Sequence, residues 1–277
     1  MKRILNLAKS VLMTGKDHQS FIGAGWLVLV LRFTPGCFKE RMALWILSLS
    51  PHYFYREFDK EYRNLPLGEF LEAERRRNAS SREMICNRLL LRYVKPEHEI
   101  MDIGCGPGFL ARAVAPHVKT VYACDISPGV LECARVLNGA ENINYIYSGE
   151  PGFSGIGDSS LDLVYSIAVI QHLREPVIQY LFGVAQRKLR SGGICLFQVQ
   201  LEDGAWKTEN ESVQDRTLSG RLRLKYGLNF FPRSESFFRE VASRSGLRTV
   251  AGSAMSGFFE SHFDDICDQH LMVFEKP

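Results

Sequence analysis

Apolar positions recur along this chain in two rhythms. From residue 99 onward, short apolar runs alternate with segments whose apolar residues return every three or four positions, and that alternation predicts an α/β domain with a mainly parallel sheet. Strands are predicted at 99–103, 120–124, 143–147, 161–167, 193–199, 247–252 and 270–275, with helices at about 108–116, 128–137, 175–190 and 234–245. The expected fold is a doubly wound, seven-stranded α/β sheet. Two long connections, Leu201–Pro232 and Ser253–Gln269, leave the carboxyl ends of strands and are placed to wall a substrate pocket.

Residues 1–80 read instead as a helical N-terminal extension. Met1–Thr14, Phe21–Phe33 and Met42–Leu49 are apolar at helical spacing, and Thr34-Pro-Gly36 separates the last two. Aromatic residues crowd this part, among them Trp26, Phe33, Phe38, Trp45, Tyr53, Phe54 and Tyr62. They pack the extension on the main domain, or form a lid over an apolar substrate, or make a basic and aromatic patch suited to lipid headgroups. Glu69–Ser81 is strongly polar and reads as a solvated helix or a linker; Arg82–Val94 reads as an amphipathic helix leading into the first strand. The expected division is an extension of residues 1–80 and a domain of residues 81–277.

The stretch that carries chemistry is Glu99-Ile-Met-Asp-Ile-Gly-Cys-Gly-Pro-Gly108, a buried strand entering a turn with glycine at every second position. Glycine supplies backbone angles that a side chain forbids and lets a ligand approach bare main chain. A nicotinamide dinucleotide fold calls for Gly-x-Gly-x-x-Gly, which this spacing is not. Seventeen residues beyond Gly108, Val121–Asp125 is a strand ending in an acid, and such a carboxylate can accept from both hydroxyls of a ribose.

Composition narrows the picture. Of 277 residues 45% are hydrophobic and 23% charged, enough apolar material for a large core and against disorder. The net charge of +3 is unevenly spread: residues 1–97 carry 17 Lys and Arg against 10 Asp and Glu. Seven cysteines, with neither a Cys-x-x-Cys pair nor metal-like spacing, read as reduced thiols in a cytoplasmic protein. The eleven apolar residues 21–31 fall short of the roughly 20 that span a bilayer, and no cleavage site follows them. Contact with a membrane is therefore expected to be peripheral, through residues 1–60. No nucleic-acid module or metal site is visible.

Five segments together, Ile100–Gly108, Tyr122–Pro128, Ser160–Ser166, Ile170-Gln-His-Leu173 and Arg187–Gly193, resemble a class I S-adenosylmethionine-dependent methyltransferase of the small-molecule group that includes the ubiquinone and menaquinone methyltransferases. The resemblance implies the Rossmann-like methyltransferase fold and S-adenosylmethionine as cofactor, with S-adenosylhomocysteine as product. It implies that Asp102, Gly104, Cys105, Gly106 and Gly108 hold the methionine half, that Asp125 binds the ribose, and that Ile126 packs on the adenine. Glu150 and Pro151 stand where the family has an acid for the adenine amino group. Ser166 and Ile167 are implied to lie near the sulfonium, with Cys105 only a small packed side chain.

Methyl transfer from a sulfonium is an in-line displacement that chiefly needs alignment. A hydroxyl acceptor must also lose a proton, and His172, just past the fourth strand, is the candidate general base. The competing reading is a structural or substrate-contacting histidine. Gln171 could bond the acceptor. The expected activity is methyl transfer, favouring oxygen, to a small, partly apolar acceptor that is quinone-like, lipidic, glycosyl or a natural product. The alternative is a non-catalytic protein of the same fold that docks on a partner or membrane through its extension.

Overall fold

A computed structural model describes residues 25–49, 53–54, 62, 64–149, 152–202, 208–226, 229–259 and 269–277. The expected helix at Met1–Thr14 and the sequence positions Glu150 and Pro151 lie outside the described residues, as do residues 260–268 of the second long connection.

The chain folds as α1 (Gly25–Phe33), α2 (Gly36–Leu47), α3 (Leu67–Arg88), β1 (Glu99–Ile103), α4 (Phe109–Val114), β2 (Thr120–Asp125), α5 (Pro128–Asn138), β3 (Ile143–Tyr147), β4 (Leu161–Ser166), α6 (Glu175–Lys188), β5 (Leu189–Val199), α7 (Glu209–Gln214), α8 (Leu218–Tyr226), α9 (Glu235–Arg244), β6 (Arg248–Ala254) and β7 (His270–Glu275). The seven strands lie in the order β3-β2-β1-β4-β5-β7-β6. The first five are parallel, and β7 runs antiparallel to both β5 and β6. This is the expected seven-stranded, doubly wound sheet. Strand order reverses between β1 and β4, so the crevice at their carboxyl ends is the place where such folds bind ligands.

Both faces of the sheet are covered. Ile100, Val121, Leu163 and Tyr165 pack with α3 and α4 residues such as Ile85, Leu110 and Val114 on one side. Met101, Ile103, Val164, Phe197 and Phe274 pack with Phe182 of α6 and Phe238 of α9 on the other. Burial on both faces is why β1 and β4 are apolar at most positions, with Glu99, Asp102, Asp162 and Ser166 as the polar exceptions.

Among the described residues the core of the extension is shared with the domain. Leu27, Leu31, Leu44, Leu47, Phe54 and Phe70 close over Val130 and Cys133 on the outer side of α5. Of the two readings of the polar stretch the helix holds and the linker does not: it is part of one 22-residue helix, α3, that passes through residues 80 and 81 without a break, with one face solvated and the other buried. Its inward face carries Glu74, Asn78 and Ser81 beside Phe70, Leu71 and Ile85. Glu74 is fully buried because Arg77 bridges to it at 3.0 Å and the Asn78 amide donates to its main-chain carbonyl at 2.9 Å. Polar groups paired this way can be buried, and hydropathy alone misplaces them.

Candidate functional site

The glycine turn between β1 and α4 is bound back to the end of β2. The main-chain N–H groups of Gly104 and Cys105 both donate to the Cys124 carbonyl, at 2.8 and 2.9 Å. The N–H of Gly106 then donates to Oδ2 of Asp125 at 3.0 Å, and that of Ser127 to Oδ1 at 2.8 Å. Burial raises the Asp125 pKa, while N–H groups of Ser127, Gly106 and Ile126 pull it back. Ser127 also caps α5, accepting from Val130 N–H at 3.4 Å with Pro128 at the first helical position. Asp102, Gly104, Cys105, Gly106, Gly108, Asp125 and the half-buried Ile126 are thus brought together at the ends of β1 and β2.

The three glycines do different jobs. All have positive φ, at +77°, +53° and +81° for Gly104, Gly106 and Gly108. A Cβ on Gly104 would lie 2.5 Å from Cγ2 of Val169, and one on Gly108 would lie 2.3 Å from the Tyr145 hydroxyl. That hydroxyl is held in place by the Asn138 carbonyl at 3.0 Å. Gly104 and Gly108 are therefore required by packing within the protein, not only by close approach of a ligand. Gly106 alone has an uncrowded Cβ side, where the nearest atom is Cε1 of Tyr53 at 3.6 Å.

Beneath the turn, Asp102 is 2% exposed and its Oδ2 makes no hydrogen bond among the described residues. Burial pushes its pKa up to about 8; the Tyr165 hydroxyl across the β1–β4 pairing lowers it and the Asp125 charge raises it further. A buried acid lacking a full set of partners, with two acids flanking a glycine turn, fits a ligand with a cationic end and a ribose. The Cys105 thiol is buried and pushed well above its ordinary pKa by desolvation, so it stays protonated.

At the end of β4, Ser166 is fully buried and its hydroxyl donates to the Ile103 carbonyl at 2.8 Å, clamping β4 to β1. Its proton is already engaged, which makes it a brace for the crevice. Ile167 is 8% exposed and lies in the core on the α3–α4 side. Ala168 follows with φ +61°, its N–H donating to Gln198 Oε1 at 2.6 Å. Gln198 in turn donates to Gln269 at 2.6 Å. Gln171 is 2% exposed and its amide nitrogen points to Gln269 Oε1 at 3.4 Å, which joins it to the glutamine network. The left-handed alanine and the glutamine chain were missed in the sequence, since neither residue type at those positions carries a local signal.

His172 sits in a short 3-10 turn three residues beyond Val169, with its N–H bonded to the Val169 carbonyl at 2.9 Å. Its Nδ1 lies 2.7 Å from the Asn229 carbonyl and its ring meets Phe230 edge-on at 5.3 Å. A carbonyl can only accept, so Nδ1 carries the proton and Nε2 presents a lone pair. Burial lowers the histidine pKa, favouring this neutral form. Asn229 and Phe230 belong to the first long connection, which therefore does wall this region. Arg233 fixes that wall: its guanidinium donates to the Leu173 carbonyl and to Glu209 of α7, both at 2.7 Å, and Glu209 also takes Arg174 at 3.0 Å.

Known proteins are similar to this chain in sequence and fold. Residues 101–197 match a family model described as a methyltransferase domain. A ubiquinone biosynthesis O-methyltransferase of Saccharophagus degradans is 29% identical over 36% of this chain and 43% of its own length. A malonyl-[acyl-carrier protein] O-methyltransferase of Serratia marcescens is 28% identical over 37% of this chain and 38% of its own. The chain thus matches these curated relatives over less than half of their length. Among solved structures, the methyltransferase in complex with the Trm112 methyltransferase activator of Haloferax volcanii superposes with a TM-score of 0.55 at 16% identity, covering 74% of this chain and 95% of that one. The phosphoethanolamine N-methyltransferase 2 of Haemonchus contortus, in complex with S-adenosyl-L-methionine, gives a TM-score of 0.51 at 18% identity, over 77% and 60%. Likenesses this remote establish the fold. With the glycine turn, the acid at the end of β2 and the sheet order all in place, the chain carries a methyltransferase domain of the class I S-adenosylmethionine-dependent kind.

Proposed function

We propose that this protein transfers a methyl group from S-adenosylmethionine to an oxygen of a small, partly apolar acceptor, of quinone-like, lipidic, glycosyl or natural-product type. The observation that carries the reading is the Asp125 carboxylate, held at the mouth of the turn by two main-chain N–H groups. A carboxylate has about four acceptor positions, and what the main-chain N–H groups leave over is offered to the ribose hydroxyls. Asp102, beneath the turn, would face the methionine half, whose ammonium would favour the charged carboxylate over the protonated form that burial favours without it. Glu150 and Pro151 retain their proposed place at the adenine.

The cofactor supplies an already activated methyl group, and the chain's task is alignment. His172 adds a proton acceptor: Nε2 of the neutral ring takes the hydroxyl proton while Nδ1–H stays on Asn229. The oxygen preference rests on this histidine and on the O-methyltransferase names of the relatives. Retention of the whole cradle argues against the non-catalytic alternative. The test is incubation with S-adenosylmethionine and a panel of quinols, phenols, sugars and amines, reading S-adenosylhomocysteine release by mass spectrometry; release with hydroxyl acceptors is expected, and release only with amines would overturn the oxygen preference.

The extension supports a finer reading, peripheral docking on an anionic membrane surface. No described helix is long and apolar enough to cross a membrane. Yet Trp26, Leu29 and Phe33 form one exposed face of α1, Phe38 and Trp45 an exposed face of α2, and Phe33 is 79% and Phe38 59% exposed at the tip between them. Arg32, Lys39 and Arg41 are interspersed with these residues. Apolar anchors among cations complement anionic headgroups, where lipidic acceptors reside.

A further inference from the structure

Tyr53 belongs to the extension, far in sequence from the glycine turn, yet its ring lies over Gly106, the glycine of the turn whose Cβ side is uncrowded. The distance from the position of a Gly106 Cβ to Cε1 of Tyr53 is 3.6 Å, and to Cδ1 4.0 Å. Desolvation of the half-buried phenol, and then the nearby Asp125 carboxylate, raise its pKa well above the ordinary value. The next residue explains how it is held there. Phe54 is 2% exposed and meets Phe70 of α3 edge-on at 6.2 Å. Phe70 also meets Tyr62 at 6.0 Å. Phe54 thus anchors the segment in the extension's core while its neighbour reaches the turn.

That core is not independent of the cradle. It closes on Val130 and Cys133 of α5, and the capping residue of the same helix, Ser127, donates its N–H to Asp125. The extension, α5, the β2 acid and the turn are one packed unit.

We infer that Tyr53 is a cofactor-site residue, forming the outer wall of the cradle at Gly106 and Asp125, so that the N-terminal extension is part of the cofactor site and not only a cap over the acceptor. This rests on the proposed methyltransferase reading. The wall is made by ring carbons, so the aromatic ring matters more than the hydroxyl.

The test is calorimetric titration of S-adenosylhomocysteine into the full chain and its Tyr53→Ala, Tyr53→Phe and Asp125→Ala variants. Tyr53→Ala is expected to weaken binding at least fivefold per folded molecule, and Tyr53→Phe to stay within twofold. Unchanged affinity in Tyr53→Ala, with Asp125→Ala weakened, overturns the inference and leaves the methyltransferase reading standing; unchanged affinity in Asp125→Ala overturns that reading and the inference with it. A purely structural role would lower the melting temperature of Tyr53→Ala and leave its affinity intact, which also counts against the inference. Should Tyr53→Ala fail to fold, hydrogen exchange on the unaltered protein decides: S-adenosylhomocysteine is expected to slow the amides of Tyr53 and Phe54, and unchanged exchange there overturns the proposal.

Discussion

The N–H of Gly106 donates to Oδ2 of Asp125 at 3.0 Å, joining the middle of the glycine turn to the acid that ends the neighbouring strand. Two segments that the sequence separates by 19 positions are thereby tied together around one buried carboxylate.

The glycines of the turn are separable by substitution. Gly104→Ala and Gly108→Ala each combine positive φ with a Cβ driven against Val169 or Tyr145, and the two penalties together are expected to cost about 2–5 kcal/mol in stability. Gly106→Ala meets no such clash and should lose about 1–2 kcal/mol, the left-handed penalty alone. Urea denaturation of the three variants checks the order; a Gly106 variant less stable than the other two would contradict it.

His172→Ala should lower turnover about 10²–10⁴-fold with S-adenosylhomocysteine affinity unchanged within twofold. Because burial lowers the histidine pKa, the neutral, proton-accepting form already prevails at pH values where an exposed histidine is half charged. The acid limb of the kcat profile should therefore fall below about pH 6.5, and it should vanish in the variant. A profile unaltered by the substitution removes the base role.

Asp102 makes stability depend on pH. Its folded pKa, about 8, lies above the ordinary aspartate value of 3.8, so between these values the folded chain holds a proton that the unfolded chain has released. Stability from this group is then greatest at low pH and declines as pH rises toward 8. In ligand-free protein, Asp102→Asn should flatten that decline. Melting temperatures measured from pH 5 to pH 8 check it, and parallel curves for the two proteins would refute the assignment.

Membrane docking has a direct test. Phe33→Ser with Phe38→Ser should reduce sedimentation with vesicles of 30% phosphatidylserine at least tenfold, about the loss of two inserted aromatic anchors, and spare methyl transfer to a soluble acceptor. Equal sedimentation of both proteins would reject the surface.

What was legible in the sequence follows from range. Strands β1, β2 and β4 are buried on both faces and helices α5 and α9 begin at serine caps, so local pattern found them within a residue or two. The turn and Asp125 were legible because their spacing is itself a signal. Long-range partners were not: nothing near Gly104 announces Val169, nothing near Gly108 announces Tyr145, and nothing near Tyr53 announces Gly106. Helix α3 hid its inward face because the residues on it are polar and satisfied by one another. Ala168 adopts a glycine-like angle that its residue type does not announce.

The central claim is that Asp125, fixed by the turn, holds the ribose of S-adenosylmethionine. Isothermal calorimetry of S-adenosylhomocysteine binding to the Asp125→Ala variant tests it most directly. The account predicts a loss of affinity of at least tenfold, about 1.4 kcal/mol, in a protein that still folds; an affinity equal to that of the unaltered chain would contradict it.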